Sequence, residues 1–280
     1  EALIQVASPA PLDHYAAAKV VLAGGDLPGK SQLIQALLGK PHEPFPRNHG
    51  LKTWILHSDT FKREGGGHIT RETYLWDLAG PAEDHIINHL FLDRAALGVI
   101  LIDSAWAGNL SRDVNQWKQA FVRAGVEECP LLLVLDEDRV PISKEMVHHC
   151  ELVCLEQGIP EWIPIVSHTG EGVERLRAAI LKHIPWARLP EIQSPEAWRS
   201  LRDYLSRRRE ERDFLTRKPD LREEFRKAHS TALLSAGEFE TAILLAQIQG
   251  LAWPFLNDGY VLLKPEALRG YAAAVLRAAR

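Results

Sequence analysis

The sequence contains few cysteines and no long apolar run. Its 280 residues include 3 cysteines, an odd number without the spacing of a disulfide framework, which predicts a reducing, cytoplasmic environment. The longest apolar stretch, residues 95–102, is far shorter than the ~20 residues that cross a bilayer. No leader with a basic and then an apolar region opens the chain, which argues against secretion. These absences predict a protein that neither spans a membrane nor leaves the cell.

The charge balance argues against a general affinity for polyanions. The chain has 33 Lys and Arg against 37 Asp and Glu, a formal net charge of −4, so nucleic acid is not predicted as a partner. Residues 1–187 carry 17 basic and 24 acidic side chains, and residues 188–280 carry 16 and 13. Because the length suggests about two domains of ~150 residues, this shift predicts a boundary near Arg188. The chain begins with Glu1 instead of Met and ends in a helix-like run, so we expect a piece of a longer protein.

The first domain, residues 1–187, has the pattern of an α/β protein. Short apolar runs alternate with amphipathic segments, as in a mostly parallel six-stranded sheet flanked by helices. Strands are predicted at residues 19–23, 51–57, 73–76, 98–103, 131–135 and 162–166. Helices are predicted at residues 31–38, 83–91, 113–124, 143–157 and 172–183.

The second domain, residues 188–280, is predicted to be smaller and largely helical. Positive and negative charges alternate in residues 207–212, which is typical of a solvated helix face. A helix from Gly237 to Gly250, a strand pair with a turn at Asp258-Gly259, and a further helix outline a winged helix. The helix at residues 241–249 carries no Arg or Lys, so we expect it to contact protein and not DNA.

A glycine-rich segment is the strongest motif: Gly24-Gly25-Asp26-Leu27-Pro28-Gly29-Lys30-Ser31. It matches G-x-x-x-x-G-K-[ST] and lies between a predicted strand and a predicted helix, as a phosphate-binding loop must. The loop amides and the helix N-terminus would surround phosphate oxygens. Lys30 would reach the β- and γ-phosphates, and Ser31 would supply a hydroxyl to Mg²⁺.

A second motif, Asp77-Leu78-Ala79-Gly80, directly follows the predicted strand at residues 73–76. Asp77 would address the metal ion through water. The Gly80 N–H can approach the γ-phosphate because glycine has no Cβ in the way.

With these motifs the chain resembles the Roc (Ras of complex proteins) GTPase domain of Roco proteins, followed by a COR (C-terminal of Roc) region. The resemblance is carried by residues 18–39, 75–80, 89–94, 98–103 and 165–172, and the last stretch is similar to the base-contacting loop of Ras-like GTPases. It implies a Ras-like P-loop NTPase fold in residues 1–187 and a COR-like, winged-helix-like region in residues 188–280. It also implies a nucleotide-controlled module of a multidomain protein, with protein partners or a homodimer through the C-terminal region.

The resemblance further implies GTP or GDP with Mg²⁺ as ligands and assigns roles to particular residues. Ser31 and Asp77 would hold the metal ion. Lys30, Asp77, Glu83 and His85 are the candidates for catalysis. The residues implied to contact the nucleotide are Gly25, Asp26, Leu27, Pro28, Gly29, Lys30, Ser31, Gln32, Gly80, Asp136, Asp138, Ser167 and His168.

The base-reading motif departs from that of Ras-like domains. In those domains N/T-K-x-D reads guanine, whereas this chain has Asp136-Glu137-Asp138-Arg139, so both the Asn and the Lys are absent. Either Asp136 or Asp138 pairs with guanine, depending on a register of one residue. In the alternative interpretation, both acids belong to a polar turn between a strand and a helix.

The switch segments depart from the family pattern as well. Pro81 follows Gly80 where a water-positioning residue is common. Glu83 or His85 would orient the attacking water if that loop folds inward, and otherwise both are solvated residues of a first helical turn. The first switch, residues 47–50, offers no hydroxyl, and Asn48 is its substitute. These departures predict a GTP/GDP-dependent switch with slow GTP hydrolysis, and the alternative is a degenerate pseudo-GTPase that acts as an assembly scaffold.

Overall fold

A mostly parallel sheet forms the centre of the N-terminal part. The computed structural model describes residues 13–24, 29–41, 52–64, 66–78, 91–210, 214–229, 234–255, 259–268 and 271. The strands of this part are β1 (His14–Gly24), β2 (Lys52–Lys62), β3 (His68–Asp77), β4 (Leu97–Asp103), β5 (Leu131–Asp136) and β6 (Trp162–Ile165), in the spatial order β2-β3-β1-β4-β5-β6. All neighbouring pairs are parallel except β2 and β3, which are antiparallel. The predicted mostly parallel α/β sheet is confirmed.

Among the described residues, the α-helices that cover this sheet are α1 (Gly29–Leu37), α2 (Leu110–Arg123), α3 (Lys144–Gln157) and α4 (Val173–His183). Each was predicted to within three residues of these bounds. The boundaries of α3 follow from its sequence, because the Ser143 hydroxyl accepts the Met146 N–H at its start and Gly158 adopts φ +67° at its end. The helix predicted at residues 83–91 lies outside the described residues, apart from Phe91.

Strand β1 separates two hydrophobic cores. Successive side chains of a strand point to opposite faces, so Ala17, Val21 and Ala23 pack into one core. Their neighbours Ala18, Val20 and Leu22 pack into the other, together with α1 and α4. Residues 15–24 are all buried, as expected for the central strand of a parallel sheet that is covered on both faces.

The C-terminal part adds a seventh strand to the sheet and forms a small sheet of its own. Strand β7 (Glu191–Ile192) pairs antiparallel with the start of β1, at Tyr15 and Ala16. The remaining elements are α5 (Pro195–Glu210), β8 (Leu215–Arg217), α6 (Lys218–Ala228), α7 (Ala236–Ile248), β9 (Trp253–Pro254) and β10 (Tyr260–Leu262). The small sheet has the order β8-β10-β9 and is antiparallel. The predicted strand pair before and after Gly259 is confirmed, whereas the winged-helix assignment and the boundary near Arg188 stay predictions.

Aromatic rings join the two parts in one buried core. Trp76 of β3, Phe91 and Trp253 of β9 are all buried, and the ring centroids of Phe91 and Trp253 are 5.2 Å apart. Farther along the interface, the rings of Tyr15 on β1 and Trp198 on α5 lie 5.8 Å apart. In the described ranges, every helix is too short or too polar to cross a bilayer.

Candidate functional site

The predicted phosphate loop begins where β1 ends, at the carboxyl edge of the sheet. Open α/β sheets bind ligands at this edge. Gly24 is the last residue of β1, and α1 begins at Gly29 and Lys30. Residues 25–28, which include Gly25, Asp26, Leu27 and Pro28, lie outside the described residues, so their predicted contacts stay predictions.

The two framework glycines of the motif are required by close packing. Gly24 has φ +150°, and a Cβ there would lie 2.6 Å from the backbone oxygen of Leu101 on β4. A Cβ on Gly29 would lie 2.3 Å from Asp136 Oδ2 and 2.7 Å from Ser167 Oγ. All three distances are shorter than van der Waals contact, so a side chain at Gly24 would push against β4, and one at Gly29 would push against β5 and the loop after β6.

Lys30 and Asp77 form an ion pair at the centre of this edge. Lys30 Nζ lies 3.7 Å from Asp77 Oδ1, and both side chains are largely buried. Lys30 comes from the first turn of α1 and Asp77 from the last position of β3. The two charges that the sequence assigns to phosphate and to metal therefore lie side by side.

The donor groups suit a magnesium ion. Mg²⁺ prefers oxygen ligands, commonly one or two protein groups together with substrate phosphates. Ser31 offers a hydroxyl in the first turn of α1, directly after the buried Lys30, and Asp77 offers a carboxylate beside Lys30. Both oxygen types are ones that Mg²⁺ accepts, and the pair of ligands stays a prediction.

Asp136 connects three segments of the edge. It ends β5 and is 5% exposed. Its Oδ1 atom accepts the N–H of Asp138 at 3.2 Å and the N–H of Ser167 at 3.1 Å. The Ser167 hydroxyl in turn donates to Gln32 Oε1 on α1, at 3.3 Å. These contacts bring Gln32, Asp136 and Ser167 together at this edge of the sheet, and their contact with a ligand stays a prediction.

Asp138 lies nearer the surface than Asp136. Its carboxylate pairs with the His168 imidazole, and both side chains are partly exposed. Arg139, the next residue, has its Nε 3.5 Å from Asp103 Oδ2 at the end of β4. Asp136 therefore faces the interior and Asp138 faces solvent beside the loop after β6. Contact of either acid with a base stays a prediction.

A cavity of about 300 Å³ lies between α1 and the loop after β6. Its lining includes Gln32, Gln35, Lys40 and His168. Gln35 and Lys40 were missed in the sequence, although the three-residue spacing of Gln32 and Gln35 on a helix could have revealed the first. A larger cavity, about 930 Å³, opens near His14 and His68 at the other ends of β1 and β3, and none of the motif residues lines it.

Several predicted site residues lie outside the described ranges. Gly80, Glu83 and His85 belong to residues 79–90, and Asn48 belongs to residues 42–51. The roles predicted for them stay predictions.

Comparison with solved structures identifies a similar fold. The structure of Roco2 RocCORdC from Methanosarcina barkeri, bound to GDP, matches with a TM-score of 0.61. The match covers 89% of this chain and 73% of that chain, at 17% sequence identity. This chain has the fold of a RocCOR fragment. The RocCOR match extends beyond the N-terminal sheet, because residues 1–187 alone are too few to make up the covered share. No protein-family model and no curated protein matches the sequence.

Proposed function

We propose that the chain is a guanine-nucleotide-binding, GTPase-like module, which acts as a switch with slow GTP hydrolysis inside a larger Roco-like protein. The observation that carries the proposal is the Lys30–Asp77 pair at the carboxyl edge of the mostly parallel sheet, 3.7 Å apart and next to Gly29. A lysine ammonium and a carboxylate in this position are the charges that a Mg-nucleotide complex needs. The GDP bound to the M. barkeri RocCOR fragment supports the same ligand class.

In the proposed mechanism, the α1 N-terminus and Lys30 bind the phosphates. Backbone N–H groups at the start of α1 donate to phosphate oxygens, and the Lys30 ammonium stabilises the negative charge that develops on the β–γ bridge. Ser31 and Asp77 would hold Mg²⁺, which neutralises charge on the β- and γ-phosphate oxygens when it is bound. Lys30 and Asp77 are buried, and because the local dielectric constant is low there, the attraction of Lys30 for phosphate and of Asp77 for Mg²⁺ would be stronger than in water.

Base selection is assigned to Asp138. Its carboxylate can accept the N1 and N2 hydrogens of guanine, which adenine does not offer in that arrangement. Asp138 is partly exposed beside His168 and the cavity after β6, whereas the interior position of Asp136 suits a bridge between segments. Slow hydrolysis is proposed because the residue after Gly80 is Pro81, which has no side-chain donor or acceptor to orient water.

A pseudo-GTPase scaffold is the second candidate. One observation favours it: Glu137, the residue directly before Asp138, has an Oε2 atom that accepts the Ile142 N–H at 3.2 Å. This side chain is engaged with its own loop. Such a domain would bind nucleotide without distinguishing GTP from GDP, and a switch needs that difference in affinity.

Titration calorimetry with Mg-GDP, Mg-GTP and Mg-ATP tests the proposal. We expect the wild-type chain to bind guanine nucleotides and Lys30→Ala to weaken them about 30- to 150-fold, the effect of losing ~2–3 kcal/mol of charge-assisted bonding. Lys182→Ala is the matched control, because Lys182 is an exposed lysine of α4 with only a surface ion pair. If Lys30→Ala retains every nucleotide as tightly as Lys182→Ala does, the proposal is wrong. Equal affinities for GDP and GTP would favour the scaffold.

A further inference from the structure

We propose that Asp136 sets the affinity of the nucleotide site: its carboxylate stands against the phosphate-binding end of α1 and weakens the binding of polyanionic nucleotides. This inference rests on the proposed function. In this role Asp136 lowers the affinity for the nucleotide, whereas a carboxylate that reads the base would raise it.

The Asp136 side chain is held in one orientation by backbone hydrogen bonds. Oδ1 accepts two backbone N–H groups, from Asp138 on its own segment and from Ser167 on the neighbouring loop. Two such bonds fix the plane of the carboxylate, and the residue is 5% exposed. The group is therefore held inside the edge of the sheet and cannot turn outward to a base without breaking both bonds.

The second carboxylate oxygen of Asp136, Oδ2, lies against the start of α1. Oδ2 faces Gly29, so closely that a Cβ on Gly29 would lie 2.3 Å from it. Gly29 is the first residue of α1, whose N-terminal amides are the phosphate donors of the proposed site. A negative charge therefore lies within one residue of the amides that would receive phosphate.

Three other carboxylates at this edge of the sheet have basic partners. Three ion pairs lie at this edge, Lys30–Asp77, Arg139–Asp103 and His168–Asp138. Within the described ranges, none of the ion pairs includes Asp136. Among the described residues, its charge is compensated by the dipoles of the Asp138 and Ser167 N–H groups and of the α1 N-terminus. A phosphate in the proposed site would compete for the last of these.

Replacement of Asp136 by the isosteric amide therefore distinguishes a carboxylate that repels phosphate from one that only holds the two segments together. Asp136→Asn keeps Oδ1 as an acceptor for both N–H groups and removes the charge. We expect Mg-GDP to bind about tenfold tighter, the order of magnitude for removal of one like charge from a partly buried site. The gain should increase from Mg-GMP through Mg-GDP to Mg-GTP, because repulsion scales with ligand charge, and a purely structural effect would not follow that series.

Asp103 provides a matched control. It ends β4 exactly one strand away, in register with Asp136, and it is almost equally buried. Unlike Asp136, it pairs with Arg139 and accepts the Ala105 N–H at 2.9 Å. We expect Asp103→Asn to change the three affinities by less than about twofold, because its charge is already neutralised by a guanidinium.

The experiment is titration calorimetry of the full chain, wild type, Asp136→Asn and Asp103→Asn, with the three Mg-nucleotides. Tighter binding in Asp136→Asn alone, rising with ligand charge, supports the inference. If the wild type binds but Asp136→Asn binds equally or more weakly, the inference is overturned and the proposed function stands. If neither the wild type nor either variant binds any of the three Mg-nucleotides, the proposed function itself is wrong. Asp136→Ser, also neutral and able to accept one N–H, carries the same prediction if the amide variant melts below assay temperature.

Discussion

The indole N–H of Trp76 donates a hydrogen bond of 2.7 Å to the backbone carbonyl of Ile248. Trp76 directly precedes Asp77 on β3, and Ile248 is the last residue of α7. The last carbonyls of a helix have no partner inside the helix, so a side chain of the N-terminal sheet satisfies one of them. The neighbouring Gln249 carbonyl accepts the Thr53 hydroxyl of β2 at 3.2 Å. The end of α7 is thus fixed to two strands beside the proposed nucleotide site.

Trp76→Phe is expected to lower the free energy of unfolding. The variant leaves the buried Ile248 carbonyl without its donor, which costs about 1–3 kcal/mol in addition to the lost ring volume. The measurement is urea denaturation. Trp198→Phe is the matched control, since Trp198 is equally buried and its Nε1 has no hydrogen-bond partner among the described residues. A cost for Trp76→Phe no larger than that for Trp198→Phe would contradict the prediction.

Lys19→Met is expected to change how stability depends on pH. Lys19 is fully buried, donates to the Asp93 carbonyl at 2.8 Å and lies over the Trp76 ring at 3.8 Å. Burial lowers the pKa of Lys19 to about 7, and the nearby Asp93 carboxylate offsets part of this shift. In the unfolded chain the group stays protonated up to about pH 10.4. Between these values the unfolded state binds more protons, so wild-type stability should rise with pH.

The pH series from 7 to 9 measures this linkage. Over that range the wild type should gain up to ~1.4 kcal/mol per pH unit from Lys19, and Lys19→Met should lack the gain. Lys118→Met is a suitable control because Lys118, on α2, is only partly buried. Identical pH slopes for wild type and Lys19→Met would show that Lys19 stays charged when folded.

Gly29→Ala tests the close approach of α1 to β5. The added Cβ would meet Asp136 Oδ2 and Ser167 Oγ at 2.3 and 2.7 Å, so we expect a loss of about 1–3 kcal/mol in stability and weaker nucleotide binding. Gly237→Ala, also at the start of a helix, has nothing within 4 Å of the new Cβ. Calorimetric melting should therefore leave Gly237→Ala at or slightly above the wild-type temperature. A melting temperature of Gly29→Ala equal to that of Gly237→Ala would refute the packing argument.

Much of the sheet could be predicted because its strands are short, apolar and separated by amphipathic helices. The outer half of β2, Ser58 to Lys62, was missed because its side chains are exposed and all but Phe61 are polar, so the segment shows no apolar alternation. Strand β7 has only two residues, too few for any periodicity, and it exists because β1 extends beyond its pairing with β4.

In the candidate site, too, some features could be predicted from the sequence and others could not. The phosphate-loop motif predicts where Gly29 and Lys30 lie, because a tight turn before a helix requires the glycine and phosphate binding requires the lysine. The choice between Asp136 and Asp138 depends on where β5 ends, and strand ends are the least predictable feature of a sequence. Trp76 and Trp253 meet across the long separation between β3 and β9, and local patterns carry no information about such contacts.

The ring cluster of Trp76, Phe91 and Trp253 has a practical consequence for anyone who shortens the chain. A fragment that stops near residue 187 would lose Trp253 and the end of α7, and would leave Trp76 and Phe91 facing water. Such an exposed aromatic patch favours self-association. The two parts should therefore be expressed, purified and assayed as one chain, even though the sequence predicts a domain boundary near Arg188.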